Sequence, residues 1–213
     1  MTGDRIGVDE SGKGDYFGPL VIAACYVDPS MDAELDGVKD SKKLTDALAL
    51  KLDPVIRRVC PFAVVRVDPP KYNELYEKIK NLNRLLAWGH AQAIENVLAK
   101  VDCELVISDQ FADPAFLKRT LQTKEKGKHV RLESRVRAES DLAVAAASVV
   151  ARAEFLRRLK SLGEGVGMDL PKGAGTPVDD AARRIVRNQG REVLPTVAKM
   201  HFKTTQKVLG GLF

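Results

Sequence analysis

Cysteine is scarce. Cys25, Cys60 and Cys103 are odd in number, far apart, and form no CxxC or CxxH pair. A disulfide framework is thereby excluded and a zinc site is not expected; the thiols read as reduced and buried, in an intracellular protein. Histidine is equally thin, and the scattered His90, His129 and His201 are expected to serve surface or packing roles rather than as ligands. Long apolar runs are missing too. The least polar stretches, residues 19–27 and 142–151, fall short of the roughly 18–20 residues needed to cross a bilayer. The N-terminal MTGDRIGVDE has no basic region followed by an apolar one, so it is not a secretory signal. Repeats, low-complexity tracts and linkers between domains are also absent, so the expectation is one domain over residues 1–213.

With 45% apolar and 30% charged residues, the chain has too much hydrophobic material for disorder and too mixed a pattern for a coiled coil. Its net charge is only +5. The basic residues are concentrated in 118–137 and 152–160, and at Arg183, Arg184, Arg187 and Arg191. Such crowding is compatible with a polyanionic partner but does not specify one.

The pattern predicts strands at residues 5–9, 19–28, 62–67, 104–108 and 129–132. Helices are expected from a Thr45 cap to about residue 58, and over 82–99, 114–122 and 141–160. A last amphipathic helix over 178–188 should stop at Gly190. Leu82, Leu85, Leu86, Ala93, Ile94, Val97 and Leu98 form one stripe; Leu142, Ala146, Val149, Ala153 and Leu156 form another. Two early strands joined by a long glycine-rich loop, followed by βα alternation, indicate an α/β fold with a mixed sheet flanked by helices.

Acidic residues recur where such sheets bind ligands. Asp9 and Glu10 end the first strand, Asp109 ends the fourth, and Glu139 and Asp141 precede the alanine-rich helix. Oxygen donors without His or Cys favour Mg²⁺ or Mn²⁺, and a pair of such ions suits in-line phosphoryl displacement. Adjacent strand residues point to opposite faces, so Asp9 and Glu10 can share a site only if the chain bends. Gly12-Lys13-Gly14 lets a ligand approach the backbone, as a phosphate or a sugar hydroxyl requires. It lacks the GxxxxGK(S/T) spacing of a nucleotide P-loop and the GxGxxG of a dinucleotide site.

Taken together, Ile6-Gly-Val-Asp-Glu-Ser-Gly-Lys-Gly-Asp-Tyr-Phe-Gly-Pro-Leu20, Asp40-Ser-Lys-Lys-Leu44, Asp109, Arg137-Ala-Glu-Ser140 and Ala145-Ala-Ala-Ser-Val-Val-Ala-Arg152 resemble the bacterial type 2 ribonucleases H, in particular the ribonuclease HIII family. Leu170-Pro-Lys-Gly-Ala-Gly175 and Lys199-Met-His-Phe202 carry the same resemblance, and the tyrosine-containing segment of ribonuclease HII is not found near 170–175. The resemblance implies a ribonuclease H-like fold with a helical C-terminal region, and a cytoplasmic endonuclease. Its expected activity is hydrolysis of the RNA strand of an RNA–DNA hybrid duplex to 5′-phosphate and 3′-hydroxyl ends, with two Mg²⁺ or Mn²⁺ ions. By motif position Asp9, Glu10, Asp109 and Glu139 are the catalytic, metal-binding acids, with Asp141 as the alternative to Glu139. Gly12, Lys13 and Gly14 would read the 2′-hydroxyl, Lys42 and Lys43 hold phosphates, and Ser148 orient the backbone of the substrate. Tyr16 and Phe17 belong either to the core or to a stacking surface. No membrane and no obligate protein partner is implied, and the expected state is a monomer. The family usually carries an N-terminal hybrid-binding domain, whereas here only eight residues precede the motif at Asp9. Either the chain is a trimmed form or the protein works without that domain. The alternatives are a non-catalytic or weakly active hybrid binder of the same fold, and a junction-resolving nuclease, against which the GKG, DSKKL and AAAS segments argue.

Overall fold

The computed structural model of the chain describes residues 3–39, 45–109 and 113–210. Its strands are β1 (Arg5–Ser11), β2 (Leu20–Val27), β3 (Phe62–Val67), β4 (Leu105–Asp109) and β5 (Arg131–Arg135). They form one mixed sheet in the order β3-β2-β1-β4-β5. β1 pairs with β4 in parallel, and β4 pairs with β5 in parallel. β2, LVIAACYV, is buried almost along its whole length, so it reads as a continuous apolar run rather than an alternating one. β5 lies two to three residues beyond its expected place, because RLESR is a charged edge strand without an apolar signal.

The helices are α1 (Asp36–Lys39), α2 (Asp46–Val59), α3 (Pro69–Ile79), α4 (Leu82–Leu98), α5 (Pro114–Leu121), α6 (Leu142–Gly165), α7 (Thr176–Gln189), α8 (Leu194–Val197) and α9 (Lys203–Leu209). Thr45 caps α2 as expected, its hydroxyl accepting from the Leu48 N–H at 3.2 Å. Helix α3 is not foreseen from the sequence. Pro69-Pro70 looks like a breaker, yet proline at the first helical turn costs no hydrogen bond. Helix α7 stops at Gly190 (φ 94°) as expected, but α8 and α9 follow, so it is not the last. In α6, Phe155 and Leu159 are buried whereas Leu156 is only half-buried, as is Leu82 in α4.

Two compact units emerge. The first comprises Met1–Glu10, Ile22–Val65 and Asn81–Ala153; the second comprises Ser11–Val21, Arg66–Lys80 and Glu154–Phe213. In the first, α6 lies directly on β1. A Cβ at Gly7 would stand 2.1 Å from the Ala143 carbonyl carbon and 2.2 Å from the Val144 nitrogen, so only glycine permits the contact. Beside it, the Arg5 Nε donates to both carboxylate oxygens of Asp141 at 3.0 and 2.7 Å, with both side chains buried. Asp141 also accepts from the Ala143 N–H at 2.9 Å and so caps α6. Its carboxylate is occupied in holding α6 to β1. On the other side of the sheet, Gly89 of α4 leaves room for Ile22 of β2, whose Cδ1 would be 2.6 Å from an added Cβ.

The second unit is helical. Asp179 of α7 accepts from Thr204 (2.9 Å) and Lys207 (2.8 Å) of α9, and Asp68 at the start of α3 pairs with Arg158 of α6 at 2.9 Å. Tyr16 and Phe17 are fully buried, edge to face at 4.9 Å; they are core residues and cannot stack on a substrate. Among the described residues, no helix is long and apolar enough to cross a membrane. Breaking a buried ion pair from one side leaves its partner's charge uncompensated. Asp141→Ala is therefore expected to lower the unfolding free energy by roughly 3–5 kcal/mol in urea denaturation.

Candidate active site

Strand geometry places the acids. The parallel register pairs Ile6 with Val106, Gly7 with Ile107 and Val8 with Ser108, so Asp9 and Asp109 occupy the next rung at the carboxyl ends of β1 and β4. They share the face of the sheet on which Gly7 meets α6, and there the Ser148 hydroxyl of α6 hydrogen-bonds the Asp9 carboxylate. Glu10, next along β1, points the other way. Its Oε2 lies 2.9 Å from Nε2 of His90, a fully buried side chain of α4. The opposed facing expected of neighbouring strand residues is therefore present, and each carboxylate is met by a different helix. Asp109 turns one oxygen to the Ala138 N–H at 2.9 Å, at the start of the short 3₁₀ turn Ala138–Ser140 that carries the exposed Glu139. That turn is entered through Arg137 in the left-handed region (φ 57°).

The electrostatics are those of anions pressed together. Burial pushes the Asp9 carboxyl up to about 8, and the nearby charges of Glu10 and, more weakly, Asp109 push the same way. Hydrogen bonds from the Glu10 N–H (2.8 Å) and from Ser148 oppose the shift without cancelling it. Among the described residues, no three His, Cys, Asp or Glu side chains already converge closely enough to hold a metal ion. The donor chemistry nevertheless fits a hard divalent cation. The donors are carboxylate oxygens, and their mutual repulsion is relieved by positive charge.

The glycine loop belongs to the second unit. The Asp15 N–H closes a turn on the Gly12 carbonyl at 3.3 Å. Gly12 (φ 86°) is demanded by the fold, since a Cβ there would lie 2.2 Å from the Pro19 carbonyl oxygen. Gly14 is different. It is exposed, and an added Cβ would meet nothing within 4 Å. Lys13 is half-buried. Lys42 and Lys43 lie outside the described residues.

A family model described as Ribonuclease HII matches residues 6–205. The ribonuclease HIII of Protochlamydia amoebophila (strain UWE25) is 45% identical over 208 residues, which cover 97% of this chain and 68% of that protein. The chain belongs to the ribonuclease HII family, in its HIII branch. The ribonuclease HIII of Geobacillus kaustophilus (strain HTA426) is 42% identical over 210 residues, covering 96% of this chain and 68% of that one. Bst-RNase HIII, solved in complex with Mn²⁺, matches with a TM-score of 0.90 at 38% identity, over 98% of this chain and 70% of its own. Ribonuclease H2 from Pyrococcus horikoshii OT3 matches with a TM-score of 0.81 over 98% of both chains; at 23% identity it shows the shared fold. The ribonuclease H-like fold with a helical C-terminal region is thus confirmed, and the chain spans about 70% of its HIII relatives.

His90 is the contact that sequence reasoning missed. Expected to be a packing or surface residue, it lies at a glycine-flanked position of α4 where its ring reaches Glu10. An isolated histidine in a helical stripe carries no signal of that contact. His201, by contrast, stacks on Tyr76 (4.1 Å) and Tyr72 (5.5 Å), as a packing residue should.

The raised Asp9 carboxyl has a consequence for stability. In the folded protein it keeps its proton to about pH 8, whereas an unfolded chain releases it near 3.8, so stability falls as pH rises between those values. Asp9→Asn has nothing to titrate there. In EDTA its melting temperature should exceed the wild type's, by a margin growing between about pH 4 and about pH 8. The gap should reach about ten degrees, since each pH unit across that interval is worth roughly 1.4 kcal/mol and about 1 kcal/mol moves Tm by roughly 2–4 °C at this size.

Proposed function

We propose that the chain is a divalent-metal-dependent endoribonuclease that hydrolyses the RNA strand of RNA–DNA hybrids, leaving 5′-phosphate and 3′-hydroxyl ends. The observation that carries this reading is the rung shared by Asp9 and Asp109. Two carboxylates at adjacent strand ends, with Glu10 close enough to raise the Asp9 carboxyl further, form a site whose charge calls for a cation. Asp9, Asp109 and Glu139 would hold the ions, and Glu10, whose charge is felt at Asp9 although His90 engages its carboxylate, would complete the set from the end of β1. Asp141 is the weaker claimant to the fourth place, because Arg5 and the start of α6 engage its carboxylate. When bound, two Mg²⁺ or Mn²⁺ ions supply Lewis acidity on both sides of an in-line displacement at phosphorus.

The chain's own residues do the rest. Ser148 holds the Asp9 carboxylate, and His90 fixes the direction of Glu10. Outer hydrogen bonds of this kind set the orientation of metal-binding carboxylates. Ser148 was expected to contact the substrate; its bond to Asp9 supports a positioning role instead. The Gly12–Gly14 backbone would meet the ribose 2′-hydroxyl, the group that distinguishes RNA from DNA. Gly14 supports this assignment because its own surroundings do not require glycine. Lys13, Lys42 and Lys43 would bind phosphates as point charges. The two compact units would serve one catalytic domain over residues 1–213, working as a monomer on the duplex.

Cleavage of a labelled hybrid tests the reading in Mg²⁺ and in Mn²⁺. Asp109→Asn should lower kcat by about 10²-fold or more, since removing a metal-binding carboxylate costs several kcal/mol of charge stabilisation. An all-DNA duplex should stay intact. Undiminished cleavage by the variant, or equal cutting of DNA, would overturn the assignment. A hybrid that is bound but never cut in either metal would favour the inactive binder.

His90 makes a separate expectation. His90→Leu should raise the Mn²⁺ concentration needed for half-maximal binding by roughly 10–100-fold, while His90→Gln, which can still donate to Glu10, should keep most of the affinity. Titration calorimetry with Mn²⁺ on the hybrid-free protein measures both.

A further inference from the structure

Lys199 is fully buried, in a motif to which the proposed chemistry gives no task. Its ammonium donates to the carbonyl oxygens of Asp15 and Gly18, each at 2.7 Å, and lies 5.7 Å from the centre of the Tyr72 ring. Its backbone N–H donates to the Tyr16 carbonyl at 2.8 Å, and Ala198 bridges to Phe17. The Gly18 N–H reaches the Val197 carbonyl at 2.9 Å. One residue and its neighbours thus take up every carbonyl from Asp15 to Gly18 except that of Phe17. From another side the Tyr16 N–H donates to Gly173 O at 2.8 Å, and the Gly173 N–H donates to the Asp15 carboxylate at 2.6 Å. Three segments far apart in the chain, each containing a family-like motif, therefore meet on one loop: 12–18, 170–175 and 199–202.

Burying a lysine is costly unless its charge is spent on good acceptors. Burial alone would drive the amine down, and it stands at about 7 here. The core of this unit needs no cation for packing, since a methionine would fill the same space. What the ammonium provides is a fixed spacing between two carbonyls three residues apart, at the point where the glycine turn leaves the core.

We propose that Lys199 is a positioning residue for substrate recognition: it clamps the Asp15–Gly18 base of the glycine loop so that the Gly12–Gly14 turn, exposed at Gly14, is held ready for the ribose of the RNA strand. This rests on the reading of that turn as the ribose contact. Held by only one flexible end, the turn would have to be ordered on binding, at a cost in affinity.

The test compares full-length Lys199→Met with Gly14→Ala, and uses Lys199→Gln if the methionine variant does not fold. Three quantities are measured: the dissociation-constant ratio for a DNA duplex over an RNA–DNA hybrid of the same sequence without metal, KM and kcat for the hybrid, and amide exchange along the chain. The clamp predicts a drop of about tenfold in hybrid preference, the size expected for loss of hydrogen bonds to a charged group. KM should rise with kcat nearly unchanged, and exchange should quicken at residues 15–18 but not in β1 or β4. Wild-type preference and KM in a folded Lys199 variant, with Gly14→Ala losing both, would overturn the clamp and leave the loop reading standing. Exchange quickened equally everywhere would also overturn it, as mere loss of stability. An unchanged preference in Gly14→Ala would remove the loop reading, and the clamp with it.

Discussion

Everything in the first unit depends on one close approach, that of α6 to β1. It is a contact of backbone with backbone, possible because Gly7 has no side chain. Along β1, residues 5, 7 and 9 face α6 in turn. Arg5 takes Asp141, Gly7 takes the Ala143–Val144 peptide, and Asp9 takes Ser148. Four residues of strand cover about 13 Å and seven of helix about 10 Å, so the two elements stay in step over this length. The ion pair fixes one end, the glycine sets the separation, and the Asp9 carboxyl is presented at the other end.

The remaining acids are arranged by the alternation of strands. Asp9 and Asp109 share a face because parallel neighbours in register point alike, and Glu10 faces α4 because the next residue must. Two helices therefore position two adjacent carboxylates, each through one polar side chain. Among the described residues no lysine or arginine contact offsets the burial of Asp9 and the repulsion from Glu10 and Asp109, and its carboxyl rises accordingly.

The second unit solves a different problem, the holding of an irregular loop. Residues 12–18 form no regular element, so their polar backbone groups need partners from elsewhere. The segments around Gly173 and Lys199 supply them. Motifs that look chemically idle in a linear reading can thus act as the frame of one that is not.

The sequence by itself determined a good deal. Local period and capping chemistry located the five strands of the described residues to within a few positions, along with the Thr45 cap, the Gly190 stop and the principal helices. They also marked the strand-end acids and the glycine loop, because those signals reside in neighbouring residues. Helix α3 was hidden, since proline signals a break in a pattern but is favoured at a helix start. Tertiary structure alone decided the rest. Which of Glu139 and Asp141 is held by a buried arginine, that Ser148 meets Asp9, that His90 meets Glu10 across 80 residues, and that Lys199 reaches a loop 181 residues away are all facts of packing. Each is a polar side chain whose partner is set by how elements stack, and no periodicity in a chain records which distant surface a residue will face.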